Sequence, residues 1–318
     1  MFDLAAGRQP QLDRAFRDLL PLAEHHRLAA RLAKYYPEDA EAREYGLQAA
    51  VREARMGAVQ QQLVSQLKKA GVRAWAYKGP LLGKRLRLDA SRESKDIDIL
   101  VRREDYDKAE RVVREGWEKV QTHAWRSGPH DDHLALLKDS RFVQGESEPW
   151  VELHWSLFLR CYRESMDELV WEQLKENEDI DDALLFCILA HHAAYHGMCR
   201  LRWAADLVIL NSQAPSAARS AQILASQSGS RTLVDSAIRF LEEDLSIAID
   251  HEALASPSSR LVKMWRNHLA SENLEVPGKW EDFRTIWAGC QSPASKTQFL
   301  TCIVVERFRR GTKLLQPS

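Results

Sequence analysis

No Cys-x-x-Cys pair occurs in this 318-residue chain, and its five cysteines, Cys161, Cys187, Cys199, Cys290 and Cys302, are odd in number and widely spaced. That excludes a disulfide framework and the recognised zinc-finger spacings, and fits reduced intracellular thiols. No apolar run is long enough to cross a bilayer; the longest, Ala183 to Ala194, is broken by His191 and His192. Met1 to Pro10 lacks the basic start and apolar stretch of a signal peptide. A net charge of −1 lacks the excess expected of a dedicated non-specific nucleic-acid binder. No internal repeat or low-complexity tract is present. These absences predict a soluble, cytoplasmic globular protein with no membrane partner. Its length suits one large or two ordinary domains.

What is present is concentrated in Lys95-Asp96-Ile97-Asp98-Ile99-Leu100-Val101. Side chains alternate across a strand, so Asp96 and Asp98 share one face while Ile97, Ile99 and Val101 share the other. Two carboxylates held that close repel and need a compensating cation. A hard divalent ion, Mg2+ or Mn2+, meets that need with oxygen ligands and suits a metal-nucleotide.

The surrounding pattern is helix, then strands, then helix. Residues 11–70 read as helical with a break near Tyr36-Pro37, and Met56, Val59, Leu63, Leu67 and Ala70 recur at helical spacing. Gly71 stops that helix, Val72 to Tyr77 forms a short strand, and Pro80 opens a helix after the Lys78-Gly79 turn. A helix over Glu104 to Gly116 follows the carboxylate strand. Further strands are expected at 117–121, 134–138 and 150–155. Helices are expected at 165–175, 181–197, 201–212, 217–228, 231–243, 257–271, 280–291 and 296–315. This is an α+β layout: a small mixed β-sheet core at 71–160, an N-terminal helical segment at 1–70 and a helical C-terminal domain at 161–318.

Glu152 repeats the carboxylate logic, flanked by Val151 and Leu153 and sharing a face with Trp150 and His154. Alone it reads equally well as the solvent side of an amphipathic strand. Together with Asp96 and Asp98 it completes the set that two-ion phosphoryl transfer requires. Asp96 and Asp98 would bridge the ions, and Glu152 would serve the one that activates the acceptor hydroxyl. Lys78 and Arg92 lie at strand ends where they can meet a triphosphate, although Arg92 can equally pair with Asp96. Lys84, Arg85 and Arg87 read as a solvated helix face.

Tyr77-Lys78-Gly79-Pro80-Leu81-Leu82, Arg92 and Asp96-Ile97-Asp98-Ile99-Leu100-Val101 resemble the signature of an uncharacterised bacterial nucleotidyltransferase family of the DNA polymerase beta-like superfamily. The resemblance continues through Val151-Glu152-Leu153-His154-Trp155 and from His192 to Leu201-Arg202-Trp203-Ala204-Ala205-Asp206. It implies a nucleotidyltransferase core with Asp96, Asp98 and Glu152 as metal ligands, and Lys78-Gly79 as the phosphate-side turn. That superfamily has Gly-Ser in this turn, whereas this chain has Lys78-Gly79 and so supplies charge in place of a hydroxyl.

His191, His192 and His196 fall in one helix, with His192 and His196 four apart. The Glu of a zinc-protease motif is missing between them. They pack within the helical core or, with His154, line the nucleotide or acceptor cleft. Arg202 and Asp206 form an i,i+4 pair. The chain is therefore expected to move NMP from a nucleoside triphosphate to a hydroxyl acceptor, a small molecule or peptide/protein being favoured over RNA. The rivals are a catalytically weak nucleotide-binding or regulatory module of the same fold, and a toxin-like transferase acting on tRNA or protein.

Overall fold

The computed structural model describes residues 1–88, 92–120, 139–145, 147–158, 160–177, 179–254 and 259–270. The strand expected at 134–138 and the helices expected at 280–291 and 296–315 lie outside them. In chain order the elements begin with α1 (Phe2–Ala5), α2 (Phe16–His25), α3 (Ala29–Ala33) and α4 (Ala40–Lys69). Next come β1 (Ala74–Ala76), α5 (Pro80–Arg85), β2 (Asp96–Val101), α6 (Tyr106–Arg114), β3 (Glu118–Lys119), β4 (Asp139–Gln144) and β5 (Ser147–His154). The remainder is helical: α7 (Arg160–Glu176), α8 (Asp182–Tyr195), α9 (Leu201–Gln213), α10 (Ala217–Gln227), α11 (Arg231–Leu245) and α12 (Ser259–Ala270). The α+β class expected from the pattern is the class observed. No helix among the described residues is long and apolar enough to cross a membrane.

Two compact units result. The described residues of Val51–Arg85 and Ser94–Glu164 form one, and those of Met1–Ala50, Leu86–Glu93 and Ser165–Pro293 form the other. The first contains the five-stranded mixed sheet, in the order β1-β2-β5-β4-β3. β2 runs parallel to β5 and antiparallel to β1, and β4 is antiparallel to both β5 and β3. The parallel pair sits at the centre, where Asp96 faces Trp150, Asp98 faces Glu152 and Leu100 faces His154.

Alternation gives this sheet one dry face. Ile97, Ile99, Val101, Val151 and Leu153 are fully buried there against Met56, Leu63 and Leu67 of α4 and Tyr106, Ala109 and Val113 of α6. Each such side chain contributes roughly 1.5–3 kcal/mol on burial, so a shift of either central strand by one residue would exchange apolar anchors for carboxylates. The Asp and Glu side chains are thereby held on the opposite face.

The helical unit has its own core. Leu4, Phe16, Leu28 and Leu32 pack with Leu201 and Ala205 of α9. Helix α8 is apolar around most of its circumference and nests among α9, α10 and α11. It begins where the Asp181 carboxylate accepts a hydrogen bond from Leu184 N at 2.7 Å, as an N-cap should. Its Cys187 and the nearby Cys199 are buried free thiols, and burial pushes the Cys187 thiol pKa up, leaving it a poor nucleophile.

Candidate functional site

The site grows from the register of β2 and β5. Asp98 and Glu152 stand opposite one another on the face away from Ile97, Ile99 and Val151, and His154 follows Glu152 by two residues. Among the described residues, Asp98, Glu152 and His154 form a group whose ligand atoms all lie within 4.8 Å of one another. Asp96 lies one pleat further along β2, partly exposed and opposite Trp150, and is not a member of that group.

Asp98 is 2% exposed, which makes its neighbours decisive for its charge. Its Oδ1 lies 3.0 Å from His154 Nε2, 3.4 Å from the Tyr77 hydroxyl and 3.6 Å from Lys78 Nζ. Lys78 is also buried; it donates to the Tyr77 hydroxyl at 3.3 Å and stands 4.7 Å from the centre of the Tyr77 ring. The ammonium beside the carboxylate offsets part of the cost of burying either group.

Glu152 is held differently. Arg141 of β4, opposite Glu152 in the antiparallel ladder, donates to its Oε1 from Nε at 3.0 Å and from Nη2 at 2.6 Å. The same guanidinium lies over the Trp150 ring, 4.5 Å from its centre. The second oxygen, Oε2, lies 3.7 Å from His154 Nε2.

The Lys78-Gly79 turn is brought close to β2. Gly79 has φ +66°, and a Cβ there would lie 3.2 Å from the Asp96 carbonyl oxygen and 3.2 Å from Gln60 Nε2. Gly is the residue that adopts this conformation and spacing without strain. Gln60 of α4 brackets the turn: its Nε2 donates to the Lys78 carbonyl at 2.9 Å, and its Oε1 accepts from Leu81 N at 3.2 Å.

The remaining expected site residues belong to the helical unit. Arg92 grips Asp206 bidentately, with contacts of 3.1 to 3.3 Å between two almost fully buried side chains. The Asp206 carboxylate thus serves Arg92, and the Arg202 guanidinium donates to the Glu93 carbonyl. His192 and His196 pack ring to ring at 4.5 Å, and His196 stacks on Trp203 at 5.0 Å and 21°.

Two carboxylates and an imidazole are a donor set that fits a divalent cation. The carboxylates suit Mg2+ or Mn2+, and the imidazole shifts the preference toward Mn2+. The surroundings suit phosphate as well, since both acids already have cations beside them.

Comparison of the sequence with known families decides the relationship. Residues 13–245 match the family described as uncharacterised nucleotidyltransferase. The chain belongs to that family. The matched span contains every residue of the site, from Gln60 to His154. No curated protein and no solved structure matches the chain.

Sequence pattern alone does not single out three members of the constellation. Tyr77 passes for a core aromatic beside Trp75, on which it stacks at 5.7 Å. Arg141 belongs to β4 (Asp139–Gln144), which the pattern does not mark as a strand. Gln60 has a usable signal: it sits four residues after Met56 on the buried stripe of α4, where an amide must have a partner.

Proposed function

We propose that the protein is a divalent-cation-dependent nucleotidyltransferase of the DNA polymerase beta-like superfamily, with residues 71–160 as its catalytic core. The convergence of Asp98, Glu152 and His154, whose ligand atoms lie within 4.8 Å of one another, carries this reading. Asp98, Glu152 and His154 would hold the ion, and Asp96, one pleat further along β2, would join them. A bound ion would supply Lewis-acid charge at the reacting phosphate and lower the pKa of an acceptor hydroxyl.

The chain's own residues would do the rest. Lys78 and the Gly79 turn face the triphosphate, and Glu152 takes the proton released by the acceptor hydroxyl. The hydroxyl oxygen forms a bond to the α-phosphorus, the bond between that phosphorus and the bridging oxygen breaks, and pyrophosphate leaves. The acceptor is a small molecule or a peptide/protein in preference to RNA, in keeping with a net charge of −1. Arg92, engaged by Asp206, is left out of the phosphate-binding set, and His192 and His196 act as packing residues around Trp203.

One observation favours a second reading. Both acids are neutralised from within, and the turn lacks a hydroxyl, as suits a nucleotide-binding module with little turnover. A single experiment separates the two. Purified protein incubated with labelled ATP, CTP, GTP or UTP and Mg2+ or Mn2+ is followed for pyrophosphate and for label transferred to itself or to water. Turnover that disappears in Asp98→Asn supports the enzyme. Binding of metal-NTP without pyrophosphate release supports the module. Equal, feeble binding by wild type and Asp98→Asn would falsify both.

A further inference from the structure

The two acids of the site are matched by two cations built to the same plan. Lys78 has a carboxylate, Asp98, at 3.6 Å and an aromatic face, Tyr77, at 4.7 Å. Arg141 has a carboxylate, Glu152, at 2.6 Å and an aromatic face, Trp150, at 4.5 Å. The acids face each other across the central strand pair, so the four charges form one compact group that sums to zero.

A divalent cation entering between Asp98 and Glu152 replaces Lys78 and Arg141 charge for charge. It then leaves two cations without their anions, Lys78 buried and Arg141 half exposed, and for the buried one this is costly unless a new anion arrives. A triphosphate supplies one. Its oxygens accept from an ammonium or a guanidinium at least as well as carboxylates do. The aromatic faces matter at this step, because Tyr77 and Trp150 keep each cation near the site when its carboxylate is taken away.

From this we infer that Lys78 and Arg141 are exchangeable counter-ions of the metal site, moving from Asp98 and Glu152 to the polyphosphate as the metal binds. The inference rests on the metal-nucleotide reading of the site. Its consequence is reciprocal coupling: the metal improves polyphosphate binding and polyphosphate improves metal binding by the same factor. Arg141 thereby becomes a phosphate ligand on β4, a strand with none of the sequence features that mark the other site residues.

The test uses the full chain and a base-free probe. Calorimetric titrations are made with Mn2+ alone, with metal-free tripolyphosphate and with the preformed Mn2+–tripolyphosphate complex. Wild type should bind the complex at least roughly 10-fold more tightly than Mn2+ alone, within the usual range of coupling. Lys78→Met and Arg141→Gln should each bind Mn2+ alone more tightly than wild type and the complex more weakly, so that the ratio collapses. Arg141 is half exposed, so Arg141→Gln keeps the test decisive if Lys78→Met fails to fold. Unchanged Mn2+ affinity in Arg141→Gln, with wild type still binding Mn2+, would overturn the exchange and leave the metal site standing. Absence of any Mn2+ or complex binding by wild type would overturn both.

Discussion

His154 Nε2 stands 3.0 Å from Asp98 Oδ1 across the parallel β2–β5 pair, and both side chains are almost wholly buried. A carboxylate oxygen only accepts, so Nε2 carries the proton in this contact. His154 thus holds the carboxylate in place through an N–H that a cation bound at the same nitrogen would have to replace. His154→Ala should lower the unfolding free energy by about 1–3 kcal/mol by leaving a buried acceptor short of a donor. Urea denaturation measures the loss, and His154→Gln, which keeps an N–H, should recover part of it.

The two facing acids should differ in what they contribute to stability. Asp98→Asn leaves the Lys78 ammonium buried beside a neutral amide, at a cost of about 3–5 kcal/mol. Glu152→Gln releases a half-exposed Arg141 to solvent, and should cost about 1 kcal/mol or less. Both should reduce pyrophosphate release by about 100-fold or more, the scale seen when a charge-stabilising group is removed. Thermal melts beside the turnover assay separate the two effects; equal destabilisation would contradict the burial difference.

Gly79 should be intolerant for two reasons that add. A side chain there takes a left-handed backbone and drives a Cβ toward the Asp96 carbonyl and Gln60. Gly145 has a similar φ of +72°, but a Cβ at that position would meet nothing within 4 Å, so Gly145→Ala incurs the backbone cost alone. Gly145→Ala should lose about 1–2 kcal/mol and Gly79→Ala distinctly more. Parallel denaturation curves of the two variants give the comparison directly.

Acid should weaken the helical unit through His26. Burial above all, then the neighbouring His25, lowers its pKa from 6.5 to about 4, and its Nδ1 accepts from Leu201 N at 3.5 Å. The unfolded chain therefore binds the proton first as pH falls. The stabilising effect of a neutral His26 is whole above pH 6.5 and is lost progressively down to about 4, a difference of roughly 3 kcal/mol. His26→Gln has no proton to take up there. Wild-type stability relative to His26→Gln should decline by that amount between pH 7.5 and 4, and a constant difference would refute it.

Much of the site is legible in the sequence because strand alternation is local. Asp96 and Asp98 against Ile97 and Ile99, and Glu152 against Val151 and Leu153, declare their faces within a few residues. What alternation cannot state is which strand lies beside which, or in what register. Arg141 meets Glu152 only through the β4–β5 ladder, and Asp206 meets Arg92 from 114 residues away. The i,i+4 rule points Asp206 to Arg202, and nothing local to either residue points it to Arg92. The convergence of His154 with Asp98 is tertiary in the same sense.

The direct opposition of Asp98 and Glu152 also sets how the chain can vary in length. The pairing makes no demand on the number of residues joining β2 to β5, so insertions in that crossover leave the acids facing each other. One residue inserted in β5 between Trp150 and Val151 would instead turn Glu152 into the apolar layer and carry Leu153 out of it. Length variation compatible with the site is therefore confined to the joints, and the two short strands must keep their count.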